Sequence, residues 1–133
     1  EVPAGAYALM DCKHLRYREE LSAAAKVLTT VTSLPEPGMV ILDAGGKSVG
    51  SDGEGSPTVE GIPGATAVGL SAEHVNLSVD TGKNADQILA IGQKVSLTPW
   101  DIGTCVNLYD YMRAVRNNKL ESMWDIPARG RYR

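Results

Sequence analysis

The chain has 133 residues, 43% of them apolar, a net charge of −3 and no phenylalanine. That length and apolar content build one domain with its own core and exclude a wholly disordered chain. The mild acidity leaves no overall electrostatic footprint for nucleic acid, and no apolar run approaches the ~18 residues that span a bilayer, so neither is expected as a partner.

In chain order, residues 6–11 (AYALMD) form a short apolar run that reads as a strand. Residues 13–20 are densely charged and read as a loop or a short surface helix. Residues 24–32 (AAKVLTTVT) are rich in β-branched side chains and read as a strand that Pro35 and Pro37 end. Its apolar positions do not alternate cleanly, which predicts partial cover on both faces. Residues 39–42 (MVIL) are a continuous apolar run, short enough for a strand buried on both faces. Residues 50–64, rich in Gly, Ser, Asp and Pro, read as a loop.

Residues 75–80 (VNLSVD) alternate strictly, with Val75, Leu77 and Val79 on one face. Thr81, Gly82 and Lys83 read as a turn, and residues 85–91 as one or two turns of helix. Residues 94–98 alternate again, with Val95 and Leu97 inward. Residues 111–116 and 119–126 flank Asn117 and Asn118, a pair that tolerates positive φ and so predicts a hairpin. In the second arm Leu120, Ser122, Trp124 and Ile126 share a face. With 14 glycines and 7 prolines and no strand–helix–strand rhythm, the pattern predicts a mostly β fold. Its expected form is a compact barrel or sandwich of about seven short strands with one or two short helices.

The stretch between Pro99 and Asp110 places Asp101 and Cys105 four residues apart. Both are competent metal ligands, but two do not complete a structural zinc site, and a lone Cys serves as well as a small buried apolar residue while Asp101 caps the next turn. His74, at a strand entrance, suits a ligand, a proton shuttle or a local backbone hydrogen bond. His14 sits in a charged surface stretch and reads as solvated. Lys47 follows two glycines, but GGKSVG lacks the glycine spacing of a phosphate loop, and an exposed lysine is the plainer reading. Tyr7 and Tyr109 read as core residues with rim hydroxyls, or as acids. Arg129, Arg131 and Arg133 read as a solvated basic terminus. The two cysteines, Cys12 and Cys105, build no disulfide framework; they leave room for a single bridge, but reduced thiols in a cytoplasmic protein are the plainer reading. No signal peptide is visible. The first residue is not Met, which suggests a processed or excised piece.

Five stretches, in order, resemble the C-terminal domain of the D-threonine aldolase and D-serine dehydratase family, pyridoxal-phosphate enzymes related to alanine racemase. They are GAYALMD (5–11), TTVTSLPEPGMVILDAGGKSVGSD (29–52), LSAEHVNL (70–77), IGQKVSLTP (91–99) and CVNLYDYMRAVRNNKLESMWDIPARGR (105–131). The resemblance implies that residues 1–133 are a single C-terminal β domain, with the pyridoxal-phosphate barrel domain and its Schiff-base lysine absent from this chain. On that reading Lys47 is not the cofactor lysine, and no catalytic or cofactor-binding residue is assigned here. The implied function is completion of a lyase active site, dehydratase or aldolase, for small D-3-hydroxy amino acids. The implied partners are the barrel domain and a second copy in a homodimer, with an exposed apolar patch where the barrel docks. A divalent metal, zinc or manganese, is also implied. The family's ligands are His-x-Cys or His-x-Asp, and those positions fall here on Asp101 and Gly103, leaving Asp101 and Cys105 as the candidate ligands. The other reading is a non-catalytic β-fold binding domain that lost the metal site.

Overall fold

The computed structural model describes residues 5–80 and 89–131. Six strands form one antiparallel sheet: β1 (Val27–Ser33), β2 (Met39–Leu42), β3 (Thr58–Glu60), β4 (Ala65–Leu70), β5 (Val75–Val79) and β6 (Lys94–Thr98). Their order is β3-β6-β1-β2-β5-β4, and the end strands β3 and β4 approach each other, so the sheet nearly closes into a barrel. Near-closure leaves little open edge to protect. Register shifts at Val31/Ser33 and Ala67/Gly69 bend β1 and β4 where the sheet curls. The other two strands, β7 (Tyr111–Arg116) and β8 (Lys119–Asp125), pair only with each other. The fold is mostly β, as the sequence pattern predicts, with eight strands and three short helices among the described residues: α1 (Cys12–Leu15), α2 (Gly46–Val49) and α3 (Ile102–Val106).

The barrel closes around inward-facing aliphatic side chains. Val75, Leu77 and Val79 alternate with exposed neighbours along β5; along β6 Val95 and Leu97 are buried, Ser96 between them is half-buried, and Thr98 is buried too. Leu42, Leu77, Leu97 and Val31 are fully buried in this cluster. Without Phe, the interior is filled by branched residues whose few rotamers suit a narrow barrel.

Several strand readings shift. Residues 6–8 form a 3-10 turn rather than a strand. The Ala6 carbonyl accepts both the Leu9 amide at 3.2 Å and the Met10 amide at 2.7 Å, and Met10 stands at φ 54, which coils the run. The alternation of β1 is cleaner than its apolar pattern suggests: Thr29 and Val31 point inward while Leu28 and Thr32 are exposed. The buried Thr29 hid this, because its hydroxyl is satisfied by Asp43 Oδ1 at 2.6 Å. In β2, Val40 and Leu42 are buried and Met39 and Ile41 only half-covered. The Gly-rich loop contains β3, held by pairing with β6, and β4 follows where no strand was expected. The Thr81–Gly82–Lys83 turn and most of the helix expected over 85–91 lie outside the described residues; Leu89, Ala90 and Ile91 are not helical.

Asn117 and Asn118 stand at φ 51 and 59, the left-handed pair that a two-residue hairpin turn requires. The hairpin forms, with Met112 opposite Trp124 and Ala114 opposite Ser122.

Candidate functional site

The site lies where the chain's beginning meets the stretch after β6. The Cys12 and Lys13 amides donate to the Pro99 and Trp100 carbonyls, each at 3.0 Å, so residues 11–13 run beside residues 99–102. Two aspartates cap the two short helices at this crossing. Asp11 accepts the His14 amide at 2.8 Å and starts α1; Asp101 Oδ1 accepts the Thr104 amide at 2.9 Å and starts α3. Asp11 also reaches across the crossing: its Oδ2 accepts the Ile102 amide at 2.9 Å. It is fully buried: its bonds to His14 hold the start of α1, and its bond to the Ile102 amide fixes that start against the stretch after β6.

A cleft of about 570 Å³ opens beside this crossing. Asp11, His14, Asp101, Gly103, Asn107 and Arg129 are among its lining residues, and apolar groups such as Leu9, Val106 and Ile126 form much of the rest. The C-terminal stretch makes the far wall. Asn107 Oδ1 accepts the Gly130 amide at 2.7 Å, Arg129 pairs with Asp110, and the Ile126 amide donates to the Asp110 carbonyl at 2.8 Å. The expected solvated terminus is therefore pinned: Arg129 and Arg131 line the cleft, while Arg133 lies outside the described residues.

Asp101 and Cys105 take different sides of α3. Asp101 faces the cleft, whereas Cys105 is buried and its thiol donates to the Ser48 carbonyl at 3.4 Å. Tyr109 donates to the same carbonyl at 2.9 Å, so both side chains anchor α2. Burial, with the Asp101 charge adding to it, pushes the Cys105 thiol up to about 12. Such a thiol is a poor source of the thiolate a metal needs. Gly103, at the second family ligand position, contributes no side chain. Among the described residues no group of three or more His, Cys, Asp or Glu side chains is placed to hold an ion. The residues present do not fit a metal centre built on Asp101 and Cys105.

Lys47 is exposed and ion-paired with Glu73 at 2.6 Å, which raises its pKa. A protonated surface lysine does not suit a Schiff base, and the pyridoxal phosphate that the resemblance implies finds no seat there. His74 is exposed; its backbone is tied to Ser71, with the His74 amide 3.0 Å from the Ser71 hydroxyl. Tyr7 is exposed. Cys12 and Cys105 are both buried and unbridged. His14 is exposed, as its charged surface stretch predicts, yet it also lies 2.6 Å through Nδ1 from Asp11 Oδ1 and lines the cleft. The sequence signal for this was the Asp-x-x-His spacing at a helix start, which places the two side chains on adjoining positions.

No helix among the described residues is long and apolar enough to cross a membrane. The chain is 36% identical to a D-threonine aldolase from an Arthrobacter species, over 98% of its own length and 34% of that protein's. It is 30% identical to 3-hydroxy-D-aspartate aldolase of Paracoccus denitrificans over the same share of the chain and 35% of that enzyme. It thus spans about a third of the curated relatives it matches. The crystal structure of D-threonine aldolase from Filomicrobium marinum superposes with a TM-score of 0.80 at 26% identity, covering 96% of this chain and 36% of that one. An alanine racemase-like protein from Idiomarina loihiensis shares the fold, with a TM-score of 0.77 at 16% identity, over 92% of this chain and 37% of that one. Residues 24–115, more than half of the chain, match the family described as putative serine dehydratase domain, and the chain belongs to that family.

Proposed function

We propose that this chain is the C-terminal β domain of a pyridoxal-phosphate-dependent lyase acting on small D-3-hydroxy amino acids. The observation that carries this reading is the likeness to D-threonine aldolase across 98% of the chain. On this reading a barrel domain of the same enzyme holds the cofactor, which supplies the electron sink for bond cleavage next to the amine-bearing carbon. The β domain completes the active site from outside. Its own contribution is the cleft, whose walls are largely apolar and whose Asp101, His14 and Arg129 present charge and hydrogen-bonding groups to a small polar guest. The uncovered β7–β8 hairpin supports the same reading, since it offers an apolar surface to the barrel domain or to a second copy in a dimer. The cytoplasm is the matching compartment for two unbridged cysteines.

Expression of the gene with its upstream coding sequence tests the proposal. The enzyme should release glycine and aldehyde, or ammonia and a keto acid, from D-threonine, D-serine or D-threo-3-hydroxyaspartate. Inactivity towards all three in the presence of pyridoxal phosphate and manganese or zinc would sink it. A second reading, a β-fold binding domain without catalysis, is favoured by Gly103 standing where a ligand side chain is expected. Full inactivity of the longer protein, with retained folding, would move the balance to that reading.

A further inference from the structure

The cleft contains a paired carboxylate and imidazole, Asp11 and His14. Each oxygen of the fully buried Asp11 carboxylate is committed. Oδ1 accepts the His14 amide at 2.8 Å and lies 2.6 Å from His14 Nδ1, and Oδ2 accepts the Ile102 amide at 2.9 Å. A carboxylate held from two sides by backbone amides cannot swing away, so the ring it touches is held as well. Facing an acceptor, Nδ1 carries the hydrogen, which makes Nε2 the lone-pair nitrogen. Among the described residues no protein group is bonded to Nε2. The side chain is 46% exposed and lines the cleft with Asp101 and Arg129. A histidine whose only role was to cap α1 would need its backbone amide alone.

We propose that Asp11 and His14 form a dyad in which His14 Nε2 takes a proton from the hydroxyl of a small hydroxy acid seated in the cleft. The transfer breaks the guest's O–H bond and forms an Nε2–H bond. It leaves an alkoxide on the guest and an imidazolium on His14, which the Asp11 carboxylate stabilises, and reversal returns the proton. His14 is the proton-handling residue and Asp11 the positioning residue. The guest's class rests on the functional reading above; the dyad itself does not.

Nitrogen-15 NMR of the histidine-labelled chain tests both halves, with His74→Asn assigning the two rings. In its neutral form the His14 ring should carry its proton on Nδ1 and leave Nε2 bare. Asp11→Asn should abolish that bias, and circular dichroism should show that the variant remains folded. D-threonine should then shift the His14 Nε2 signal, and D-2-aminobutyrate, which lacks the hydroxyl, should not. A neutral ring with its proton on Nε2 rather than Nδ1 overturns the dyad. A correct tautomer with equal responses to the two amino acids, or with none, overturns the proton transfer while leaving the lyase reading to its own assay. In the longer enzyme His14→Gln, which keeps the backbone cap, should lower kcat about 10²–10⁴-fold with little change in KM. An unchanged kcat there also overturns the proposal, whereas inactivity of the parent enzyme faults the lyase reading and leaves the NMR result to decide the dyad.

Discussion

The six-stranded barrel and the β7–β8 hairpin use the same antiparallel pairing and similar side chains, yet they treat their apolar residues in opposite ways. In the barrel Leu42, Leu77 and Leu97 have no exposed surface. In the hairpin every residue of β8 is exposed, with Trp124 at 56%, while Val115 opposite Leu120 is at 61%. A two-stranded ribbon has no second layer to bury a face against, and it is marginal by itself. The barrel supplies its own second layer by curling until β3 meets β4. Stability therefore belongs to the barrel, and the hairpin is a surface carried by it.

The sharpest way to break this contrast is to hollow out the barrel. Leu97→Ala should cost about 2–5 kcal/mol in urea denaturation, the usual range for a cavity in a closed core. A loss below about 1 kcal/mol would mean that the barrel is loosely packed. Gly45→Ala comes next. A Cβ at Gly45 would stand 2.4 Å from the His74 amide nitrogen and 2.5 Å from the Ala72 carbonyl, where α2 meets the loop before β5. Because backbone cannot yield as a side chain does, about 1–3 kcal/mol should be lost.

A smaller effect concerns acid. Burial by itself would raise the Asp43 pKa, but hydrogen bonds from the Thr29 hydroxyl and Thr30 amide, with Lys94 nearby, hold it below the usual value. A carboxyl with a depressed folded pKa contributes stability above its unfolded pKa, near 3.9 for Asp. That contribution is lost as pH falls through the folded value. Unfolding midpoints should therefore drop more steeply in the wild type than in Asp43→Asn between about pH 5 and pH 2. Parallel curves would refute the assignment, and the exposure of Asp43 keeps the expected difference modest.

Trp124→Ala should matter least to the chain alone, within about 0.5 kcal/mol, as for other surface sites. On the proposed reading, the same substitution should weaken docking of the chain to a barrel domain or a second copy, measured by analytical ultracentrifugation. A large loss in the isolated chain would show instead that the hairpin packs on the barrel.

Much of this contrast can be read from residues alone. Alternation in residues 75–79 and 94–98 marks β5 and β6, because a half-buried strand exposes every second side chain. The Asn117–Asn118 pair marks the hairpin because few residues adopt positive φ. Less was legible where a polar residue sits inside or a strand forms without its own pattern. Thr29 is buried because Asp43 satisfies its hydroxyl, and β3 is a strand because β6 offers it partners. The candidate site divides similarly: the loop spacing marks Asp101, while no local pattern shows that the exposed His14 and Arg129 line the same cleft.

The sequence by itself determined the fold class, the alternating core positions, the hairpin and the family kinship, since all four depend on local periodicity, turn chemistry or motif order. Only the tertiary structure decided that Asp101 and Cys105 part company across α3, and that Asp11, His14 and Asp101 share one cleft with the C-terminal stretch. The physical reason is chain separation. Asp11 Oδ2 meets the Ile102 amide across 91 residues, and no local pattern encodes a bond that forms only when the barrel brings the two ends of the domain together.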